Sequence, residues 1–117
     1  MTEFDPISGG TDKLLRKVRE SRRHSLEQID GEGAPRQFIL KAGENIMGRA
    51  PDAHVYLASH SASRHHAFLR VRGTDCILYD NDSQNGIMLN GVKVHSAVLR
   101  DGDVIQAAGT KFVYYEG

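Results

Sequence analysis

The dipeptide Asn90-Gly91 lies between Ile87-Met88-Leu89 and Val92-Lys93-Val94, two short runs of strand-forming residues. Both central positions of a two-residue hairpin need positive φ, which asparagine and glycine tolerate, so this is the strongest short-range hairpin signal in the chain. Similar punctuation recurs throughout residues 36–117. Gln37-Phe38-Ile39-Leu40-Lys41 and Asn45-Ile46-Met47 flank the turn Ala42-Gly43-Glu44, and Val55-Tyr56-Leu57 is a short third run. Ala67-Phe68-Leu69-Arg70-Val71-Arg72 alternates, with Ala67, Leu69 and Val71 on one face, and Gly73-Thr74 turns it into Asp75-Cys76-Ile77-Leu78-Tyr79-Asp80. Ala97-Val98-Leu99, Val104-Ile105-Gln106-Ala107 and Lys111-Phe112-Val113-Tyr114-Tyr115 complete the series. About ten short strands, with turns and no helical period between them, predict an all-β antiparallel sandwich or barrel.

The first 35 residues read differently. Residues 1–10 form a polar tail broken by Pro6, Gly9 and Gly10. Thr11 or Asp12 is placed to cap a helix running to about Gln28, whose apolar residues are Leu14, Leu15, Val18, Leu26 and Ile29. Lys13, Arg16, Lys17, Arg19, Arg22 and Arg23 against Glu20 give residues 13–23 a charge of +5. Such a run is either a solvated helix face or a handle for an acidic partner. Asp30-Gly31-Glu32-Gly33-Ala34-Pro35 has the composition of a linker and divides the chain into an N-terminal region, 1–35, and a β-domain, 36–117.

The formal net charge of zero leaves no global field to attract nucleic acid or an anionic membrane, so any anion site must be built locally. A single cysteine, Cys76, excludes an internal disulfide framework and fits a reducing compartment. No run approaches the roughly 20 apolar residues of a membrane span, and the N-terminus lacks a signal-peptide core. The cytoplasm is the default location.

Four motifs fall in the loops of the β-region: Gly48-Arg49, Ser63-Arg64-His65-His66, Ser83-Gln84-Asn85-Gly86 and Asn90-Gly91. Arg49 and Arg64 offer planar, permanently charged forks suited to a phosphate, and the Ser63 hydroxyl offers a further donor. In order and spacing the four motifs resemble the signature of the forkhead-associated (FHA) domain, over roughly residues 36–117. The resemblance implies an FHA-type antiparallel β-sandwich of ten to eleven strands, preceded here by a tail and helix. It implies a phosphothreonine-dependent peptide-binding module in signal transduction, with no catalytic residues, cofactor or metal.

By resemblance, Arg49, Ser63 (hydroxyl and backbone amide) and Arg64 contact the phosphate. Asn85 holds the main chain of the bound peptide, Ser83 and Gln84 complete the binding set, and Ser83 is also placed to pin the same loop. Gln84 departs from the threonine common at its position, which bears on the preference for threonine over serine. Gly48, His66, Gly86, Asn90 and Gly91 are structural members of the motif, with the His66 ring holding loops together. Residue by residue, plainer roles compete: a surface salt bridge from Arg49 to Asp52, and turn roles for Ser63 and Asn85.

The implied partner is a phosphothreonine protein or peptide, made by an upstream Ser/Thr kinase. It includes the chain's own tail, where Thr2 and Thr11 are candidate phosphorylated residues with Asp5 and Leu14 three positions on. Arg22-Arg23-His24-Ser25 also resembles a basic-directed kinase site. FHA domains are often attached to longer signalling enzymes, a diguanylate cyclase for example. The alternative to phosphothreonine reading is a phosphate-independent interaction through the sandwich face. Catalysis by Ser63 and His66 lacks an orienting acid, the six histidines fit no strong zinc spacing, and nucleic-acid binding would rest on the basic helix alone.

Overall fold

The computed structural model describes residues 24–117. The strands are β1 (His24–Asp30), β2 (Arg36–Ile39), β3 (Gly43–Gly48), β4 (Val55–Tyr56), β5 (Ala67–Arg72), β6 (Asp75–Asp80), β7 (Ile87–Leu89), β8 (Val92–Val94), β9 (Ser96–Val98), β10 (Val104–Ala107) and β11 (Thr110–Glu116). They form a six-stranded sheet ordered β2-β1-β11-β10-β7-β8 and a five-stranded sheet ordered β4-β3-β5-β6-β9. No helix occurs among the described residues, and none there is long and apolar enough to cross a membrane.

The period of two sets the core. Ala67, Leu69 and Val71 of β5 are buried, while on the alternate positions Phe68 is half-buried and Arg70 and Arg72 are exposed. Met47, Val55 and Leu78 join them from one sheet, and Leu26, Ile87, Ile105, Phe112 and Tyr114 join from the other. Full burial of each such side chain contributes about 1.5–3 kcal/mol. The expected hairpins form: Leu89 pairs Val92 around Asn90 (φ 50°) and Gly91 (φ 84°). Asn90 is also pinned from outside, its Nδ2 donating to Asp103 at 3.0 Å and its Oδ1 accepting from the Val104 amide at 2.8 Å.

Two expectations need correction. The helix ending near Gln28 gives way over His24–Gln28 to strand β1, which pairs with both β2 and β11; residues 1–23 lie outside the described residues. The sandwich therefore starts at His24, before the expected boundary at residue 36, and residues 31–35 are the β1–β2 turn rather than an interdomain linker. One strand pair, β3 with β4, is parallel, so the sandwich is antiparallel in all but that contact.

The physical reason for missing β1 is its inward face. Leu26 is flanked there by His24 and Gln28, both about 1% exposed, so no apolar alternation is visible. His24 is satisfied inside through both ring nitrogens, whereas Gln28 is bonded through its nitrogen alone and its buried Oε1 has no partner among the described residues. The Nε2–H of His24 donates to the Gly73 carbonyl at 2.9 Å, its Nδ1 accepts from the Tyr114 hydroxyl, and Gln28 Nε2 donates to the Glu32 carbonyl at 2.9 Å.

Candidate functional site

His66 is fully buried where three loops meet: β3–β4 with Arg49, β4–β5 with Ser63 to His66, and β6–β7 with Ser83 to Gly86. Its Nδ1 faces the Ser63 amide at 3.0 Å, which can only donate, so Nδ1 is the unprotonated nitrogen. Its Nε2–H then donates to the Gly86 carbonyl at 2.9 Å. The His66 main chain extends the same bracing, its amide donating to Met47 at 2.8 Å and its carbonyl accepting from Asn81 at 3.1 Å. With both ring nitrogens spent, His66 has none left to activate Ser63, and a serine–histidine dyad is not built here.

Gly48 closes the first loop onto the second. A Cβ there would lie 2.0 Å from the Arg64 carbonyl oxygen and 2.9 Å from the His66 nitrogen, so only glycine lets the end of β3 come this near. The Arg49 amide donates to the Ser63 carbonyl and the Ala50 amide to the Arg64 carbonyl, each at 3.1 Å. Sequence reasoning found this pair of loops through Gly48, and the geometry gives its cause.

Arg49 is exposed, with Nε donating to the Ala62 carbonyl at 3.2 Å. That bond fixes the side chain's direction and leaves the terminal nitrogens unpaired among the described residues. No carboxylate there pairs with Arg49. Asp52, the alternative partner, bonds His65 Nε2 at 3.1 Å instead, and that hydrogen bond holds the Asp52 carboxyl below the usual carboxylate range. Arg64 is exposed and likewise has no carboxylate within salt-bridge distance among the described residues. Two guanidinium groups on adjoining loops, neither in a salt bridge among the described residues, make a local positive site on a chain of zero formal charge.

Ser63 is half-buried, and its hydroxyl oxygen accepts from the Gln84 amide at 3.3 Å, leaving its own proton to donate outward. The Ser63 amide, expected to contact a phosphate as well, is committed to His66, which corrects that part of the expectation. Ser83 takes the loop-pinning role rather than the ligand-binding one. Its hydroxyl donates to the Asp80 carboxylate and accepts from the Gly86 amide at 2.9 Å, so it pins its own loop and offers nothing outward. Gln84 and Asn85 are exposed. Asn85 Nδ2 donates to the Ser61 carbonyl at 2.8 Å, which orients the amide and leaves its oxygen free to accept. Gly86, at φ 74°, supplies the turn that brings its carbonyl to His66.

The structure thus brings Arg49, Ser63, Arg64, Gln84 and Asn85 to one rim and sets Ser83 behind it. Three further residues contribute, of which the sequence reading missed Ser61. Asn81 Nδ2 donates to the His65 carbonyl at 2.9 Å, Ser61 receives Asn85, and Asp80 holds Ser83. Asp at a strand's end and Asn just after it are a turn signal, which marks Asp80 and Asn81; Ser61 acts through its carbonyl and carries no signal. Thr2 and Thr11 lie outside the described residues. Ser25, in the basic-directed kinase motif, is buried in β1 between Ile39 and Tyr115, so the folded chain does not present it.

A family model described as "FHA domain" matches residues 45–108. The chain is 34% identical to the glycogen accumulation regulator GarA of Mycolicibacterium smegmatis, over 100% of this chain and 76% of that one. It is 33% identical to the oxoglutarate dehydrogenase inhibitor of Corynebacterium jeikeium, over 89% of this chain and 83% of that one. Among solved structures, one described as "Structural and functional analysis of phosphothreonine-dependent FHA domain interactions" superposes with a TM-score of 0.77 at 32% identity, covering 81% of this chain and 97% of that one.

Proposed function

The chain belongs to the forkhead-associated family, and on that premise we propose that it binds a phosphothreonine-bearing segment of a partner protein and thereby regulates that partner. The family is a binding module, not an enzyme, and similar chains are named as a regulator and an enzyme inhibitor. The observation that carries the reading is the pairing of Arg49 and Arg64, neither in a salt bridge among the described residues, with the outward Ser63 hydroxyl, on loops braced by buried His66. A phosphate brings about −1.5 to −2 charge and three acceptor oxygens, which that donor set complements.

In this reading Arg49, Ser63 and Arg64 hold the phosphate. The Asn85 oxygen accepts a peptide amide, and Gln84 lies beside the phosphorylated residue. A Ser/Thr kinase supplies the mark, and the cytoplasm, where such kinases act, is the location. A phosphorylated Thr2 or Thr11 is a candidate ligand from the chain itself. Tethering would give it an effective concentration near millimolar, on the order of that of short flexible linkers. Equal amide spectra for residues 24–117 before and after phosphorylation of those threonines would rule out self-docking. The wider reading is tested by titrating the chain with a degenerate phosphothreonine peptide pool and its unphosphorylated twin. Binding by the phosphorylated pool alone supports it; equal binding by both contradicts it.

A second reading has its own observation. Ile39 (50% exposed) and Tyr115 (40% exposed) stand either side of Ser25 on the outer face of the six-stranded sheet. A partner held there would need no phosphate and would be lost on Tyr115→Glu.

A further inference from the structure

Beyond the Asn85–Ser61 hydrogen bond the surface does not flatten. One shallow depression of about 240 Å³ runs from Asn85 past Met88 and Gln106. A second, of about 460 Å³, ends at Glu32 and His60. Both are lined by Ser61, Ala108 and Gly109, so the two adjoin along those residues as a shallow groove. The shared Ala108-Gly109 pair is the two-residue turn between β10 and β11: Ala107 pairs Thr110, and the two turn residues have φ of 51° and 76°. This stretch of the lining thus carries only a methyl group and a hydrogen, and an extended main chain can approach it closely. At the far end the Glu32 carboxylate is exposed and has no hydrogen-bond or ion-pair partner among the described residues, the Glu32 carbonyl alone being engaged by Gln28.

We propose that this groove is a second recognition surface, taking an extended flank of the phosphothreonine partner on the Asn85 side, with a lysine or arginine of that flank paired to Glu32. The inference rests on the phosphothreonine reading and adds to it a determinant remote from the phosphate. Continuity carries the assignment of occupant. Asn85, tied to Ser61 through Nδ2, lines the same depression as the small residues of the turn, so a main chain held at Asn85 lies next to them. The other side of the rim differs. There a depression of about 560 Å³ is bounded by Arg64, His65 and Asp52, with the Asp52 carboxylate already bonded to His65. A cation arriving at Glu32 displaces no existing bond among the described residues.

The test is a peptide array on the full chain. Each peptide carries one phosphothreonine in degenerate sequence, with arginine fixed in turn at each of about three to eight positions on either side, the reach of an extended chain at roughly 3.3 Å per residue. The expected result is an arginine preference confined to one side, up to about fivefold for an exposed pair. It disappears in Glu32→Gln and turns into a glutamate preference in Glu32→Lys. Phosphate-dependent binding with no such preference, or with one that survives Glu32→Gln, overturns the groove alone. Binding that ignores the phosphate overturns the phosphothreonine reading and the groove with it.

Discussion

The Ser63 amide donates to the Nδ1 of His66, so the residue set to meet a phosphate through its hydroxyl is positioned by a buried histidine three places on. The ring's other nitrogen reaches Gly86 across the site, and one side chain sets the spacing between the two loops on which the rim is built.

Replacing His66 by alanine leaves the Ser63 amide and the Gly86 carbonyl without their partner and opens a void. The expected destabilisation is about 2–4 kcal/mol in a denaturant titration. His66 touches no ligand in the proposed site, so phosphopeptide binding should fall together with stability. A fully stable variant that had lost binding would instead make His66 a direct contact.

Gly48→Ala should be worse. Its methyl would sit 2.0 Å from a backbone carbonyl, which cannot swing aside as a flexible side chain would. We expect a loss of more than about 3 kcal/mol or no folded protein. A variant of near-native melting temperature would show that the β3–β4 and β4–β5 loops can separate.

Asn85 and Ser83 should part company. Asn85→Ala removes one exposed tie to Ser61, costing less than about 1 kcal/mol of stability, but it should weaken phosphopeptide binding by about 5- to 30-fold. Ser83→Ala loosens the turn that carries Asn85, so its binding loss should be recovered in part by conditions that stabilise the fold. Calorimetry beside thermal melts separates the two patterns.

Cys76 is fully buried, and burial pushes its thiol up to about 12 from 9.0. A thiol reagent at pH 8 should leave the native chain unlabelled and react once it unfolds. The sign for stability follows from the raised value: the contribution is whole below about 9, where the thiol is protonated in both states, and is lost as pH rises from there toward 12. Cys76→Ala should flatten that part of the alkaline limb; an unchanged limb would assign it to other groups.

Much of the fold was legible because its strands advertise themselves. The strands at 67–72, 75–80, 87–89, 92–94 and 104–107 coincide with alternating or apolar runs bounded by turn residues. What could not be read is what depends on buried polar groups and main chain. β1 was hidden by His24 and Gln28, and by Leu26 and Ile29, which fit a helical stripe equally well. In the site, residue types marked Arg49, Ser63, Arg64, His66 and Asn85. The commitment of the Ser63 amide, the inward turn of the Ser83 hydroxyl and the Asp52–His65 bond depend on contacts made only when three loops meet.

Arg49 bears on the central claim most directly. Its side chain has one bond among the described residues, to the Ala62 carbonyl, so Arg49→Ala should melt close to the native chain. Isothermal titration of that variant against phosphothreonine peptides selected on the native chain should show affinity reduced by at least about 30-fold, in line with loss of a charged contact to phosphate. Retained affinity in the variant would mean that the partner is held elsewhere and that the phosphate-binding rim is not the functional surface.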